Sequence, residues 1–137
     1  MTDPMRGRLH HVELYVNDLE RSEVFWGWLL GALGYDEYQR WPLGVSYRLG
    51  PTYLVLVQVD SAYLDPPYHR RRAGLNHLAF HAGPRAEVDR LTRELETRGV
   101  PILYRDRHPH AGGPESYAVF CEDPDRIKVE LIASEAT

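Results

Sequence analysis

The feature that most constrains this chain is an internal repeat. The strand-like segment His11-Val-Glu-Leu-Tyr is echoed by His77-Leu-Ala-Phe-His, 66 residues later. In each copy a chain breaker follows, then a helical pattern, then a glycine, Gly34 in the first copy and Gly99 in the second. A period this long marks a duplicated module rather than a solenoid. The chain's 137 residues therefore read as one domain holding two copies: module one over about 9–60, a linker over about 61–73, and module two over about 74–134.

Within each module hydrophobic periodicity places the elements. From His10 to Val16 apolar and polar residues alternate, the period of a strand. Asn17-Asp18 supplies an N-cap, with Glu20 and Glu23 adding negative charge to the helix start. A helix is predicted over Leu19–Leu33, burying Leu19, Val24, Phe25, Trp28, Leu29 and Ala32. Strands are predicted over Tyr35–Trp41, Val45–Leu49 and Tyr53–Val59, the last an apolar run covered on both faces. Asp60 to Gly74 is rich in proline and charge and reads as the connection. The second copy repeats the plan. A strand over Leu75–His81 leads to a helix over Pro84–Arg98 with Val88, Leu91 and Leu95 on one stripe, and strands follow over Pro101–Arg105, Ser116–Cys121 and Ile127–Ile132. The expected fold is α+β: two βαβββ modules forming curved mixed sheets around a concave cavity, helices outside.

Composition excludes several classes. Sixteen basic against 20 acidic residues leave a net charge of −4, poorly suited to general nucleic-acid binding. No apolar stretch is long enough to span a bilayer, and no secretory leader is visible. Cys121, the single cysteine, can form no internal disulfide and reads as a small buried hydrophobe. A cytoplasmic location is the expectation. The basic run His69-Arg70-Arg71-Arg72 reads as a solvated loop, with a clamp for an anionic substrate tail or a part in dimer assembly as sharper alternatives.

Strand parity selects candidate site residues. If Val12, Leu14 and Val16 lie under the first helix, His11, Glu13 and Tyr15 face the concavity. By the same rule His77, Ala79 and His81 face inward in module two, as do Lys128, Glu130 and Ile132 in the last strand. His11, His77 and Glu130 make a two-histidine, one-carboxylate set, which holds a divalent iron, manganese, nickel or zinc ion while leaving positions open for substrate. Parity alone leaves the plainer reading in force: two strand histidines and a surface glutamate. Glu13 reads as a general base or as an exposed strand glutamate with a basic partner. Tyr15, Tyr47 and Tyr117 read as pocket-lining or simply half-buried, and His81 as an outer partner of His77 at most. His108 and His110, in a Gly-Pro loop, read as part of a lid or of a surface loop.

Three stretches carry a family resemblance. His11-Val-Glu-Leu-Tyr-Val-Asn-Asp-Leu-Glu-Arg-Ser resembles the opening of vicinal oxygen chelate proteins, the superfamily of glyoxalases, bleomycin-resistance proteins and dioxygenases. Asn76-His77-Leu-Ala-Phe resembles its second-module opening, and Asp123-Pro-Asp-Arg-Ile-Lys-Val-Glu130-Leu its closing signature. The resemblance spans about Leu9 to Ala133. It implies one divalent metal ion held by His11, His77 and Glu130; with such a metal, the catalytic candidates from strand parity and pocket placement are Glu13 and a tyrosine, Tyr117. It further implies a small-molecule substrate with vicinal oxygens and a homodimeric chain. Lyase, isomerase, thiol transferase and oxygenase chemistries all occur in the superfamily, as do metal-free antibiotic binders, which form the alternative reading. Two departures stand out. Leu56 falls where a fourth ligand is expected, with Gln58 as a weak substitute two residues on. Arg126 replaces the usual glycine after the Asp-Pro-Asp turn, implying a different turn or a cation at the cavity mouth.

Overall fold

The computed structural model describes residues 3–134. The elements run β1 (His11–Val16), α1 (Leu19–Ala32), β2 (Asp36–Trp41), β3 (Gly44–Leu49) and β4 (Thr52–Gln58). After a short 3-10 turn follow β5 (His77–Gly83), α2 (Arg85–Thr97), β6 (Ile102–Leu103), β7 (Ala118–Glu122) and β8 (Lys128–Ala133). The chain divides after Pro67 into two compact units, each carrying one βαβββ set. The sheets share one topology, β1-β4-β3-β2 in the first and β5-β8-β7-β6 in the second. In each the first strand is parallel to the last, and the remaining pairs are antiparallel. No helix among the described residues is long and apolar enough to cross a membrane.

In the first unit α1 starts where expected. The Asp18 carboxylate accepts from the Arg21 N–H at 3.3 Å, satisfying one donor that the helix start leaves open. The helix stops at Gly34, whose φ of +100° is the left-handed region. The Tyr35 N–H then closes back to the Leu30 carbonyl at 2.8 Å, the glycine-terminated stop of many helices. The buried stripe differs from expectation. Ser22, Phe25, Trp26, Leu29 and Leu30 are buried, whereas Val24 is 71% exposed and Ala32 is exposed. From Val24 to Ala32 the helix carries no charged residue, so its sequence alone left the facing stripe ambiguous, and packing on β2, β3 and β4 selects it.

In the second unit periodicity was a sharper guide. Val88, Leu91 and Leu95 are fully buried, as are Val119, Cys121, Val129 and Leu131 from the sheet face beneath α2. Each such aliphatic side chain contributes about 1.5–3 kcal/mol on burial. Pro84 occupies the N-cap rather than the first turn. At the other end Gly99, with φ +73°, precedes a Val100 N–H that donates to the Leu95 carbonyl at 2.9 Å. The strand expected over Pro101–Arg105 shrinks to Ile102–Leu103. Its physical reason is Tyr104, whose φ of +56° takes the backbone out of the extended region. The Tyr104 carbonyl accepts from the N–H groups of Arg107 and His108, both at 2.9 Å, so a turn replaces the ladder.

The Asp-Pro-Asp-Arg turn keeps the conformation that glycine would favour. Arg126 has φ +67°, at a cost of about 1–2 kcal/mol for a residue with a Cβ. Its N–H donates to the Asp123 carbonyl at 2.9 Å. The Asp123 carboxylate accepts from the N–H groups of Asp125 and Ile127. Arg126 thus takes the left-handed φ that suits glycine, and its side chain is directed to Glu122 at 3.3 Å.

Candidate functional site

Register assembles the site on the face of the second sheet turned away from α2. β5 runs parallel to β8 with His77 opposite Lys128 and Ala79 opposite Glu130. β7 lies on the other side of β8, with Phe120 opposite Glu130. His77, Phe120, Lys128 and Glu130 floor a cavity of about 410 Å³, which Tyr104, Arg107 and the Ala111-Gly112 turn also line. Ligand sites commonly have volumes of about 300–1,000 Å³. Ala79, too small to fill the space opposite Glu130, lets the carboxylate reach diagonally toward His77.

The Nε2 of His77 lies 3.1 Å from Glu130 Oε1, and its Nδ1 lies 2.7 Å from Asn76 Oδ1. With the amide oxygen as partner, Nδ1–H is the donor. Nε2 is then the ring atom that faces the carboxylate, as an N–H donor or as a lone pair. Two acceptors at that distance repel unless a positive charge, a proton or a metal cation, lies between them. Glu130 is 9% exposed, so solvent screens this pair poorly. A ring nitrogen held through its other N–H by an amide oxygen is also the usual support of a metal-binding histidine.

The loop over the pair is shaped to approach closely. A Cβ on Gly112 would lie 3.1 Å from Ser116 Oγ and 3.7 Å from Glu130 Oε2. Ser116 Oγ is itself buried without a hydrogen-bond partner, on the other side of Gly112 from the carboxylate. The donor chemistry of the pair fits a small cation at Glu130. Within the second unit no third His, Cys, Asp or Glu among the described residues joins the pair.

The other sequence candidates fall elsewhere. In the first unit His11 and Glu13 lie exposed on β1. The His11 ring stacks on Tyr53 at 4.7 Å, and its Nδ1 meets that of His10 at 2.9 Å. Tyr15 is 69% exposed. Tyr47 faces α1 instead, its hydroxyl against Gly27, and burial raises its pKa to about 12. Tyr117 does not line the cavity. Its hydroxyl donates to Asp89 of α2 at 2.6 Å and Arg85 covers its ring, and the hydrogen bond to Asp89, with burial, raises its pKa. His110 Nδ1 bonds the Ser116 carbonyl at 2.8 Å, while His81 is exposed at the far end of β5. Cys121 is buried as expected, its thiol pushed up to about 12 by burial.

The fourth-ligand position needs correction. Glu130 is the register partner of Ala79, and the corresponding partner of Glu13 in the first sheet is Val55, not Leu56. Leu56 lies fully buried. Gln58 is no substitute ligand: its amide accepts from the Leu19 N–H at 2.9 Å and donates to the Asn17 carbonyl at 2.8 Å, fastening β4 to the start of α1. Val55 cannot bind a metal either. The basic run is also partly structural, because Arg70 pairs with Glu122 and donates to the Arg126 carbonyl. Sequence reasoning did not single out Lys128, Tyr104 or Arg107. Only Lys128 carried a signal, its parity with Glu130.

Comparison with known proteins agrees with this architecture. Residues 8–131 match the model of the glyoxalase/bleomycin resistance protein/dioxygenase superfamily. The chain is 60% identical over 125 residues to the uncharacterized protein YqjT of Bacillus subtilis, covering 91% of this chain and 98% of that one. It is 28% identical over 123 residues to the glutathione transferase FosA of Serratia marcescens, covering 90% and 78% respectively. A crystal structure of a candidate glyoxalase from Bacillus halodurans superposes with a TM-score of 0.94 at 61% identity, covering 95% of this chain and 98% of that one.

Proposed function

The chain belongs to the glyoxalase/bleomycin resistance protein/dioxygenase superfamily, and from that premise we propose that it is a metal-dependent enzyme acting on a small molecule with vicinal oxygens. One observation carries the reading: His77 Nε2 and the Glu130 carboxylate, 3.1 Å apart, present two donor atoms of the kind that bind metals to one point of the cavity. His77 and Glu130 are the proposed ligands from the second module. His11, the first module's counterpart of His77, is proposed as the third on the strength of the sequence resemblance. Bound iron, manganese, nickel or zinc would supply Lewis acidity toward substrate oxygens.

The chain's own residues have separate tasks in this scheme. Asn76 fixes the His77 tautomer so that Nε2 stays available. Gly112 lets the loop lie against Glu130. Glu13, on the same face of β1 as His11, is the proposed proton acceptor. Tyr117, tied to Asp89, is given no part in proton transfer. A homodimer is the assembly proposed from the resemblance.

The test is metal content of tag-free protein purified without chelator, beside the His11→Ala, His77→Ala and Glu130→Ala variants. The expected result is about one divalent ion per chain in the parent and loss in all three variants. No metal in the parent, and none taken up from added iron, manganese, nickel or zinc, would overturn the reading. It would favour a metal-free binder of small molecules.

A further inference from the structure

We propose that the second-module cavity contains a subsite for an oxyanion, a carboxylate or phosphoryl group of the substrate, built by Lys128 and Arg107 around Tyr104. This rests on the reading that the cavity is the substrate site, and it narrows the substrate to a small acid whose anionic group lies near its vicinal oxygens.

The first observation is charge without a partner. Lys128 and Arg107 both line the cavity, and neither forms an ion pair among the described residues. Elsewhere in this unit Arg70, Arg90, Arg105 and Arg126 all meet carboxylates. The cavity's single lining carboxylate, Glu130, faces His77 at 3.1 Å and forms no ion pair with Lys128 or Arg107. Register even places an acid, Glu122, directly opposite Lys128. Glu122 turns away, however, to Arg70 and Arg126. The expected internal counter-ion is thus withdrawn from Lys128.

The second observation is that both cations are held at one ring. Lys128 Nζ donates to the Tyr104 hydroxyl at 3.0 Å and lies 5.2 Å from that ring's centroid and 5.7 Å from that of Phe120. Arg107 Cζ lies 4.9 Å from the Tyr104 centroid. Cation–π attraction positions such groups, yet it does not neutralise them. The ammonium spends one of its three N–H donors on Tyr104 and keeps the others for a ligand. Like charges gathered near one ring repel, and an oxyanion bound in the cavity they both line would lower that cost. The left-handed φ of Tyr104, +56°, is a strained backbone state of a kind that persists where the surrounding structure dictates a side chain's place.

Placement completes the argument. Lys128 is the cross-strand partner of His77 and sits two residues before Glu130 on the same face of β8. An anionic group held there lies roughly 7 Å along the strand from oxygens gathered at Glu130. That spacing suits a substrate of a few carbon atoms.

The experiment is isothermal titration of chelator-treated, full-length protein with inorganic phosphate and, separately, with malonate at low ionic strength. Saturable binding that weakens as salt rises is expected, with about a tenfold loss of affinity in Lys128→Met and in Arg107→Gln. Lys128→Arg should restore most of the affinity. Arg93→Gln, which removes the same charge from the exposed side of α2, should leave it unchanged. Preference for phosphate would assign a phosphoryl substrate group, and preference for malonate a carboxylate. No saturable binding of either probe up to about 10 mM, or equal binding by parent, Lys128→Met and Arg107→Gln, would overturn the proposal. Thermal melts of each variant separate lost binding from lost folding. Because metal-free protein is used, this result stands apart from the metal measurement: failure of one leaves the other readable.

Discussion

The two modules share a backbone plan and differ at the positions that face away from the helices. Where the second sheet places His77, Lys128, Glu130 and Phe120, the first places His11, Tyr53, Val55 and Ser46 at matching register. Glu122 is likewise matched by Arg48, which donates to the Gly50 carbonyl and stacks over Tyr38. A buried carboxylate and a cation in one module thus correspond to a buried aliphatic and an aromatic ring in the other. The helix-facing residues stay apolar in both, because each must bury its helix. The helix-facing positions are thus held to what the fold requires while the opposite faces differ, and the buried carboxylate with a cation beside it stands in the second module.

The largest expected contrast is between Glu130 and Val55. Glu130→Ala should lower metal affinity at least about hundredfold, whereas Val55→Ala should leave metal content intact. The loss at Val55 should instead be about 2 kcal/mol of stability, from two methyl groups and the cavity they leave. Elemental analysis beside denaturant midpoints checks both, and metal loss in Val55→Ala would break the division of labour between modules.

A similar but purely structural effect is expected at Glu122. Burial raises its pKa, but hydrogen bonds from Arg70 and Arg126 outweigh this and leave it below the ordinary value of 4.5. A carboxyl lowered in the folded state stabilises fully above its unfolded value and loses that contribution as pH falls through the folded one. Glu122→Gln should therefore cost about 2 kcal/mol at pH 7 and flatten the acid side of the stability profile. Urea titrations at pH 7 and pH 3 measure this. An unchanged pH dependence would remove Glu122 from the account.

The smallest effect belongs to Tyr117. Tyr117→Phe should cost about 1 kcal/mol through the lost bond to Asp89, with metal and oxyanion binding unaltered. A large fall in turnover at unchanged stability would return Tyr117 to the chemistry.

Much of this was legible before any coordinates. The repeat, the order of elements and the parity of His77 and Glu130 all follow from a two-residue strand period laid on alternating sequence. Where alternation fails, so did the reading. Tyr53 to Val57 is uniformly apolar, so its parity carried no signal and Leu56 was taken for the position that Val55 holds. Ala118 to Cys121 is equally uniform, which hid that Tyr117 faces α2. Trp26 in place of Val24 was lost in a helix whose second half, from Val24 to Ala32, carries no charged side chain to mark a face.

What the sequence by itself determined is the duplicated α+β plan and the family, because both rest on local periodicity and short motifs. Only the tertiary structure decided which charges are left without partners. Glu122 stands across from Lys128 yet is claimed by Arg70, 52 residues away, and Arg107 lies over the Tyr104 ring in a turn that starts at the left-handed Tyr104. Such pairings are settled by competition among groups distant in the chain, and no local pattern records who wins.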